Sequence, residues 1–134
     1  MTATKIFNIQ KETIDKINEM LKASPIIAGD IIIDNIYRKH DMKPDVNNYC
    51  QIEFREVFTS HGLACSTNEI KGIIDVFATN EIMCARLAYL LVERLYNAKI
   101  NDTEYITKCN CVDGVVKLTN NEYVQRVEFV MELV

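Results

Sequence analysis

Residues 82–97 restrict the fold more than any other part of the chain, because almost every position in them is apolar. A helix that is apolar on every side belongs in the middle of a protein, with other elements packed around it. Arg86 interrupts the stretch. The stretch is also shorter than the ~20 apolar residues that a helix needs to cross a bilayer. The stretch therefore predicts a central, buried helix and not a membrane anchor.

Shorter segments on both sides of this stretch carry apolar residues at helical spacing. Two prolines and four glycines are too few for the many turns of a sandwich or barrel. The isoleucines at 31–33 fit a strand by themselves, but the basic ending at 38–40 suits the C-terminus of a helix. The pattern predicts one all-α domain over residues 1–134, with short amphipathic helices around the central one and residues 1–24 as an extra N-terminal helix. The other segments predicted as helical are residues 13–22, 30–40, 46–60, 66–80, 102–118 and 123–131.

The charge pattern and the cysteines exclude several classes of protein. The net charge is -4, the pI is about 5.2, and no basic cluster exceeds two adjacent Lys or Arg residues. Nucleic-acid binding needs a basic stripe for the phosphates, so we expect none. Five cysteines at irregular spacing do not make a disulfide framework, and they indicate a reducing compartment. Residues 1–10 hold no apolar run of signal-peptide length, so the expected location is the cytoplasm.

Residues that could catalyse a reaction or hold a metal are few. Cys109 and Cys111 form one close pair, whereas a zinc site usually shows two such pairs. Neither His40 nor His61 forms a second close pair of metal ligands. Cys65, four residues after His61, is the only local combination of a nucleophile and a base, and no known pattern surrounds it. The sequence predicts no enzyme activity, no metal site and no cofactor, and it favours binding to other proteins.

Arg86 is the most informative charged residue, because it lies near the start of the apolar stretch. Burying a guanidinium is costly unless it reaches a carboxylate or water. Either its side chain extends over apolar surface to solvent, or it is a charged anchor in an apolar cleft that pairs with an acid of a partner. The residues alone leave both interpretations open.

Around this arginine the sequence resembles the Bcl-2 family of apoptosis regulators. In that family an apolar residue and a Phe end one helix, and after a short turn the signature Asn-Trp-Gly-Arg opens the central helix. Residues 76–86 have this layout, with Val76 and Phe77 as the pair and Arg86 as the arginine. Only the arginine of the signature is retained, since Met, Cys and Ala occupy positions 83–85.

The resemblance extends upstream and covers roughly residues 30–95. Residues 30–39 resemble the first core helix of the family, and residues 53–58 resemble the end of its second helix. A second register stays open, in which Ala-Gly-Asp at 28–30 is the core of a BH3 motif and begins the second helix. The first register is favoured because it explains the Tyr-Arg-Lys ending and needs no long insertion before Phe77.

The resemblance implies a Bcl-2-like helical bundle with a hydrophobic groove on its surface. Such a groove takes the amphipathic BH3 helix of a pro-apoptotic host protein, and Arg86 would pair with the invariant Asp of that helix. The implied function is inhibition of apoptosis by sequestering these proteins. The residues implied to line the groove are Phe54, Val57, Phe58, Ile73, Val76, Phe77 and Arg86.

The sequence diverges far from the family's signature and lacks a hydrophobic tail. In both respects it resembles a viral homologue more than a cellular one, from a large DNA virus such as an iridovirus or poxvirus. Such a protein would act in the host cytoplasm, or at mitochondria through its partners, without a transmembrane anchor. An unfilled groove also favours homodimerisation. Two other classes stay open. One is a viral Bcl-2-fold protein that blocks host innate signalling by binding adaptors without BH3 binding, and the other is an unrelated helical regulatory subunit.

Overall fold

The computed structural model of the protein describes residues 3–41, 44–61, 66–119 and 121–133. These residues form two helices and seven strands. The all-α fold predicted from the sequence is therefore wrong, and so is the Bcl-2-like helical bundle. In chain order the elements are α1 (Ala3–Ala23), β1 (Ile26–Ala28), β2 (Ile31–Ile33), β3 (Tyr37–Arg38), β4 (Tyr49–His61), β5 (Ser66–Ala78), α2 (Glu81–Leu95), β6 (Ile106–Lys117) and β7 (Tyr123–Leu133).

Within the described residues the strands make one five-stranded sheet and one separate hairpin. The strand order in the sheet is β3-β4-β5-β7-β6, and β1 pairs with β2 alone. β3 runs parallel to β4, and every other pair of neighbours is antiparallel. Because β7 lies between β5 and β6, the chain leaves the sheet after β5, passes through α2 and returns at the far edge as β6.

β5 and β7 form the middle of the sheet, and β7 alternates with the period of two that a strand requires. Ile70 lies opposite Met131 and is buried with it on one face. Two residues further along, Gly72 lies opposite the equally buried Phe129. The pairing of β5 with β7 is continuous over residues 68–78. These two strands therefore fix which residues face the core.

The contact between Gly72 and Phe129 decides which residue can occupy the centre of the sheet. A Cβ atom at position 72 would lie 2.1 Å from Cζ of Phe129, so only glycine leaves room for the ring. The same ring meets Phe54 of β4 edge to face, with 6.2 Å between the ring centroids and 86° between the ring planes. Aromatic pairs prefer this geometry. The Phe129 ring therefore links three adjacent strands.

α2 covers one face of the sheet and exposes its other side to solvent. Asn80 caps the N-terminus of the helix, because its side chain accepts a hydrogen bond from the backbone N–H of Met83 at 3.0 Å. The side away from the sheet carries Ile82 and Tyr89, which are 68% and 61% exposed. The helix predicted at 82–97 is thus present, but it is an outer layer and not the buried centre. The helix residues buried on the sheet side are Cys84, Leu87, Ala88, Leu91 and Leu95.

α1 packs on the same face of the sheet as α2. The hydroxyl of Thr13 donates to the backbone carbonyl of Ile9 at 2.7 Å, and its oxygen lies 3.4 Å from Sδ of Met131 in β7. The side chain of Asn18 accepts a hydrogen bond from the backbone N–H of Ile36 at 2.7 Å, which holds the segment before β3 against the helix. Among the described residues, neither helix combines the length and the apolar character needed to cross a bilayer.

The other segments predicted as helices are strands and loops, and β5 shows the physical reason. Ile70, Ile73 and Ile74 have helical spacing, and all three are buried. Ile70 and Ile74 face the helices, whereas Ile73 lies on the opposite face of the sheet. A strand buried on both faces loses the alternation that would identify it. The predicted helices that are wrong are residues 30–40, 46–60, 66–80, 102–118 and 123–131.

Gly72→Ala should destabilise the protein, because the added methyl group must displace the ring of Phe129. We expect a loss of about 1–3 kcal/mol in the free energy of unfolding measured by urea denaturation, the usual cost of overpacking a core. Gly114→Ala is the matched control, since a Cβ atom there meets nothing within 4 Å. This control should change the free energy of unfolding little.

The double variant Gly72→Ala/Phe129→Leu separates the clash from other effects of the alanine. A leucine at position 129 is smaller than the ring, so the two changes together should cost less than the sum of the single changes. Fully additive costs would show that the ring is not what excludes a side chain at position 72.

Candidate functional site

The two faces of the five-stranded sheet differ in what covers them. Both helices lie on one face, here called the inner face, where Ile52, Ile74 and Val127 are buried. The opposite face, here called the outer face, is covered by neither of the described helices. Its residues lie between the inner-face positions along each strand, as the period of two requires. The outer face is therefore the part of the sheet open to a partner.

Ion pairs between strands cover the middle of the outer face. Arg126 of β7 donates from Nε and Nη2 to the two carboxylate oxygens of Asp75 in β5, at 3.0 and 3.3 Å. Lys71 of β5 lies 3.0 Å from a carboxylate oxygen of Glu128 in β7. A partly exposed pair of this kind stabilises a fold by only about 0.2–1 kcal/mol. The main effect of these ion pairs is to fix the positions of the four charged side chains. Their contribution to the stability of the sheet is small.

Glu53 of β4 pairs with two cations at one side of this face. Its carboxylate accepts hydrogen bonds from Lys39 Nζ at 3.2 Å and from Arg55 Nη2 at 3.1 Å. Burial raises the pKa of Glu53, but the hydrogen bonds and charges of Lys39 and Arg55 outweigh burial and hold this pKa below its usual value of 4.5. Glu53 is therefore ionised at neutral pH and keeps both cations beside it.

An apolar row runs across four strands at one end of the outer face. Tyr49 stacks on Phe77, with 4.7 Å between the ring centroids and 19° between the ring planes. Phe77 lies opposite Val124 of β7, which in turn lies opposite Val116 of β6. Leu118 is exposed just beyond Val116, and Val116 itself is 53% exposed. The row therefore ends in apolar surface that is open to water.

A cavity of about 480 Å³ lies where the apolar row meets the ion pairs. Its polar side includes Lys39 and the paired side chains of Asp75 and Arg126. This volume is within the range of about 300–1,000 Å³ that ligand sites occupy, and such sites combine apolar walls with a few fixed polar groups. The apolar side of the cavity is formed by Phe77, Val116, Leu118 and Val124.

The β6–β7 hairpin forms one wall of the cavity, and a β-bulge in β6 shapes it. The pairing of β6 with β7 shifts between Val112 and Val116, and Asp113 in the bulge has a φ of 57°. A bulge leaves backbone groups without partners in the ladder. The side chain of Gln125, which is only 4% exposed, donates to the carbonyls of Val112 and Asp113 at 3.0 and 3.4 Å. Gln125 therefore satisfies the backbone of the bulge from the inner side.

A second cavity, of about 530 Å³, lies between α1 and the loop that follows α2. Its lining is mainly polar, and Lys16 is the cation among its charged residues. Carboxylates that face water are ordinary for a solvated surface. The cavity on the outer face joins apolar surface to fixed polar groups and is the stronger candidate, although it is smaller. The carboxylates of the second cavity are those of Glu12, Asp15, Glu19 and Asp102.

The residues predicted to line a ligand groove do not share one surface. Phe54 and Val76 lie on the inner face, where Val76 is fully buried. Ile73 and Phe77 lie on the outer face, and Ile73 is buried there. Val76 and Phe77 are consecutive residues of one strand, so their side chains point to opposite faces. Of these four residues, only Phe77 lines the cavity of the outer face.

The remaining predicted groove residues lie apart from this cavity. Arg86 is exposed on the side of α2 that faces away from the sheet. Its side chain reaches solvent, as one of the two interpretations of the sequence expects. Val57 and Phe58 belong to β4, but their side chains lie outside the described part of the chain. The described residues form no groove between helices that would bring these groups together.

Cys50 and Cys84 are buried, Cys109 is half-buried, Cys111 is exposed, and Cys65 lies outside the described residues. Burial raises the pKa of Cys109 to about 12 and that of Cys84 to about 11, which keeps both thiols protonated and unreactive. In the part of the chain that the structure describes, no group of three or more His, Cys, Asp or Glu side chains could hold a metal ion. Cys65 and the side chain of His61 fall outside that part.

Sequence reasoning missed the hairpin wall and the ion pair of the cavity. Residues 123–131 alternate between outer-face and buried inner-face positions, which is a strand signal. Read as a strand, this segment would place Val124 and Arg126 on one face. The partner of Arg126, Asp75, follows only from the pairing of β5 with β7, which no local pattern contains.

No protein-family model matches this chain, and no curated protein matches it.

Gln125→Leu should loosen the wall of the cavity, because leucine is similar in size but cannot donate to the carbonyls of the bulge. We expect the free energy of unfolding to fall by about 1–3 kcal/mol, the cost of leaving a buried polar group unsatisfied. Amide hydrogen exchange at residues 112–117 should become faster. The control is Thr107→Val, which removes a hydrogen bond of 3.1 Å to Val130 away from the bulge. Exchange at residues 112–117 that stays unchanged in Gln125→Leu would show that the bulge does not depend on this side chain.

Proposed function

We propose that the protein is a non-catalytic interaction domain that binds a segment of a partner protein on the outer face of its sheet. The observation that carries this proposal is the apolar row that ends in the cavity beside Val116 and Leu118. Apolar surface that is exposed, continuous and next to fixed polar groups is typical of a site that a partner covers. Scattered single apolar residues would not have this meaning.

The chemistry of the cavity indicates what the partner segment presents. Phe77, Val116 and Val124 offer apolar surface to an aliphatic or aromatic side chain, and burying it yields about 25 cal/mol per Å². Arg126 uses two of its donor groups on Asp75, which leaves other N–H groups of the guanidinium for a ligand. These donors suit a backbone carbonyl or a carboxylate next to the apolar anchor. The expected ligand is therefore a short peptide segment with an apolar residue beside an acidic one.

Inhibition of apoptosis is not part of this proposal. That function was implied by one groove that joins the predicted residues, and the described ones among them lie on different surfaces. It stays a prediction without the structural basis from which it came. Protein binding, the broader expectation from the sequence, is retained here with a different surface and different residues.

Short random peptides displayed on phage and selected on the immobilised protein provide the probe for this proposal. Selected peptides should carry an apolar anchor, and synthetic copies should bind with an affinity that fluorescence anisotropy can measure. Val116→Asp should weaken this binding about tenfold or more, because it places a charge in the apolar wall. Arg126→Lys should weaken it less, since the charge remains but the planar set of donors is lost.

Tyr105→Asp is the control, because Tyr105 is also exposed but lies just before the start of β6, far along the strand from Val116. It should leave peptide affinity unchanged. Backbone NMR shifts induced by the peptide should fall on β5, β7 and the β6–β7 hairpin. Selected peptides that ignore Val116→Asp and shift the resonances of another surface would overturn the proposal.

A further inference from the structure

The side of α2 that faces away from the sheet carries a regular pattern that the outer face does not use. Ile82, Tyr89 and Tyr96 recur every seven residues, with Tyr96 capping the helix, and they are 68%, 61% and 56% exposed. Ala85 and Val92 recur at the same interval between them; Ala85 is exposed, whereas Val92 is half-buried and also packs against the core. Apolar residues repeated at this spacing form the seam along which two helices pack. We call these five residues the α2 seam.

Two opposite charges flank the α2 seam, also seven residues apart. Arg86 and Glu93 are both exposed, and neither forms an ion pair with another described residue. The distance between them along the helix is about 10 Å, since each residue rises by ~1.5 Å, so they cannot pair with each other. Both charges are therefore available to a partner.

The arrangement of these charges is complementary to itself in one orientation. A parallel pair of α2 helices would place Arg86 beside the Arg86 of the second copy, which is repulsive. An antiparallel pair with a two-fold axis near residue 90 brings each Arg86 beside the Glu93 of the other copy. Because the axis repeats the contact, two ion pairs form and no charge is left alone.

The same antiparallel alignment also matches large residues with small ones. The seam residues face each other where their positions add up to 181, two more than the 179 of Arg86 and Glu93, which is a shift of about 3 Å along the helix. Tyr96 of one copy falls opposite Ala85 of the other, and Tyr89 falls opposite Val92. A large side chain therefore meets a small one in these layers, as close packing of two helices favours, whereas Ile82 has no partner in the seam.

The β1–β2 hairpin packs on the flank of α2 that carries Met83 and Arg94. A Cβ atom at Gly29 would lie 3.3 Å from the end of Met83, and Arg94 donates to the backbone carbonyl of Pro25 at 3.4 Å. With 3.6 residues per turn, this flank lies more than a quarter of a turn around the helix from the α2 seam. Ile27 and Ile32 lie opposite each other in this hairpin, and both are exposed. Ile27 and Ile32 are therefore not part of the α2 seam.

We propose that two copies of the chain form an antiparallel dimer through the α2 seam. α2 offers a strip about 22 Å long and about 10 Å wide. That strip is smaller than the ~800 Å² per partner of a standard stable interface, so the dimer should be weak and depend on concentration. Because α2 and the outer face lie on opposite sides of the sheet, a dimer of this kind leaves both outer-face cavities open.

Sedimentation velocity of the full chain, from low micromolar to near-millimolar concentration, tests this proposal. The mass should shift from monomer towards dimer as the concentration rises. Tyr89→Glu should abolish the shift, because it places two like charges close to the two-fold axis. Arg86→Glu and Glu93→Arg should each weaken dimerisation about tenfold, and the variant with both changes should recover most of the affinity because the pairs reform with reversed signs.

Tyr105→Glu is the control, since it adds the same charge at an exposed tyrosine just before β6. It should leave the dimer unchanged, and circular dichroism of every variant should match that of the parent chain. A chain that stays monomeric at all concentrations would overturn the proposal. So would a dimer that ignores Tyr89→Glu, or a doubly exchanged variant that associates no better than the single ones. Peptide binding to the outer face is measured separately and does not decide this outcome.

Discussion

The packing of the Phe129 ring over Gly72 holds together the part of the sheet on which everything else is built. It sets β5 beside β7, although α2 and β6 separate these strands in the sequence. Register matters here because a slip of one residue would turn every side chain of a strand to the other face. Such a slip would move Ile70 and Ile74 out of the core and bring Asp75 and Lys71 under the helices. The lack of a side chain at position 72 is therefore a condition for the division of the sheet into an inner and an outer face.

That division assigns different physical roles to the two sides of the molecule. The inner face is closed by α1 and α2, and the side chains between sheet and helices are buried. The outer face is held by ion pairs such as Asp75 with Arg126 and ends in the apolar row beside Val116. α2 has a free side as well, and the charges of Arg86 and Glu93 give that side a preferred orientation towards a second copy. Two surfaces on opposite sides of one sheet can thus serve two kinds of contact without competing.

Local sequence patterns identify the helices of this protein and miss its sheet, for reasons that particular residues show. The pattern predicts α2 because its apolar residues continue over four turns, and it places the helix in the centre because it counts Ile82 and Ala85, which are apolar but exposed. β5 was predicted as a helix because Ile73 is buried on one face and Ile74 on the other. Of the candidate site, only Phe77 was selected from the sequence, and for a groove that does not form. The pair of Asp75 and Arg126 depends on strand pairing across 51 positions, which local spacing cannot encode.

The pairing of β5 with β7 is tested most directly by nuclear Overhauser contacts in isotopically labelled protein. Contacts between backbone protons of Gly72 and Phe129, and between those of Asp75 and Arg126, should be observed as the antiparallel register requires. Strong sequential amide contacts through residues 66–78, together with contacts between each residue and the third one after it, would instead show a helix. That result would remove the two-faced sheet and the binding face that depends on it.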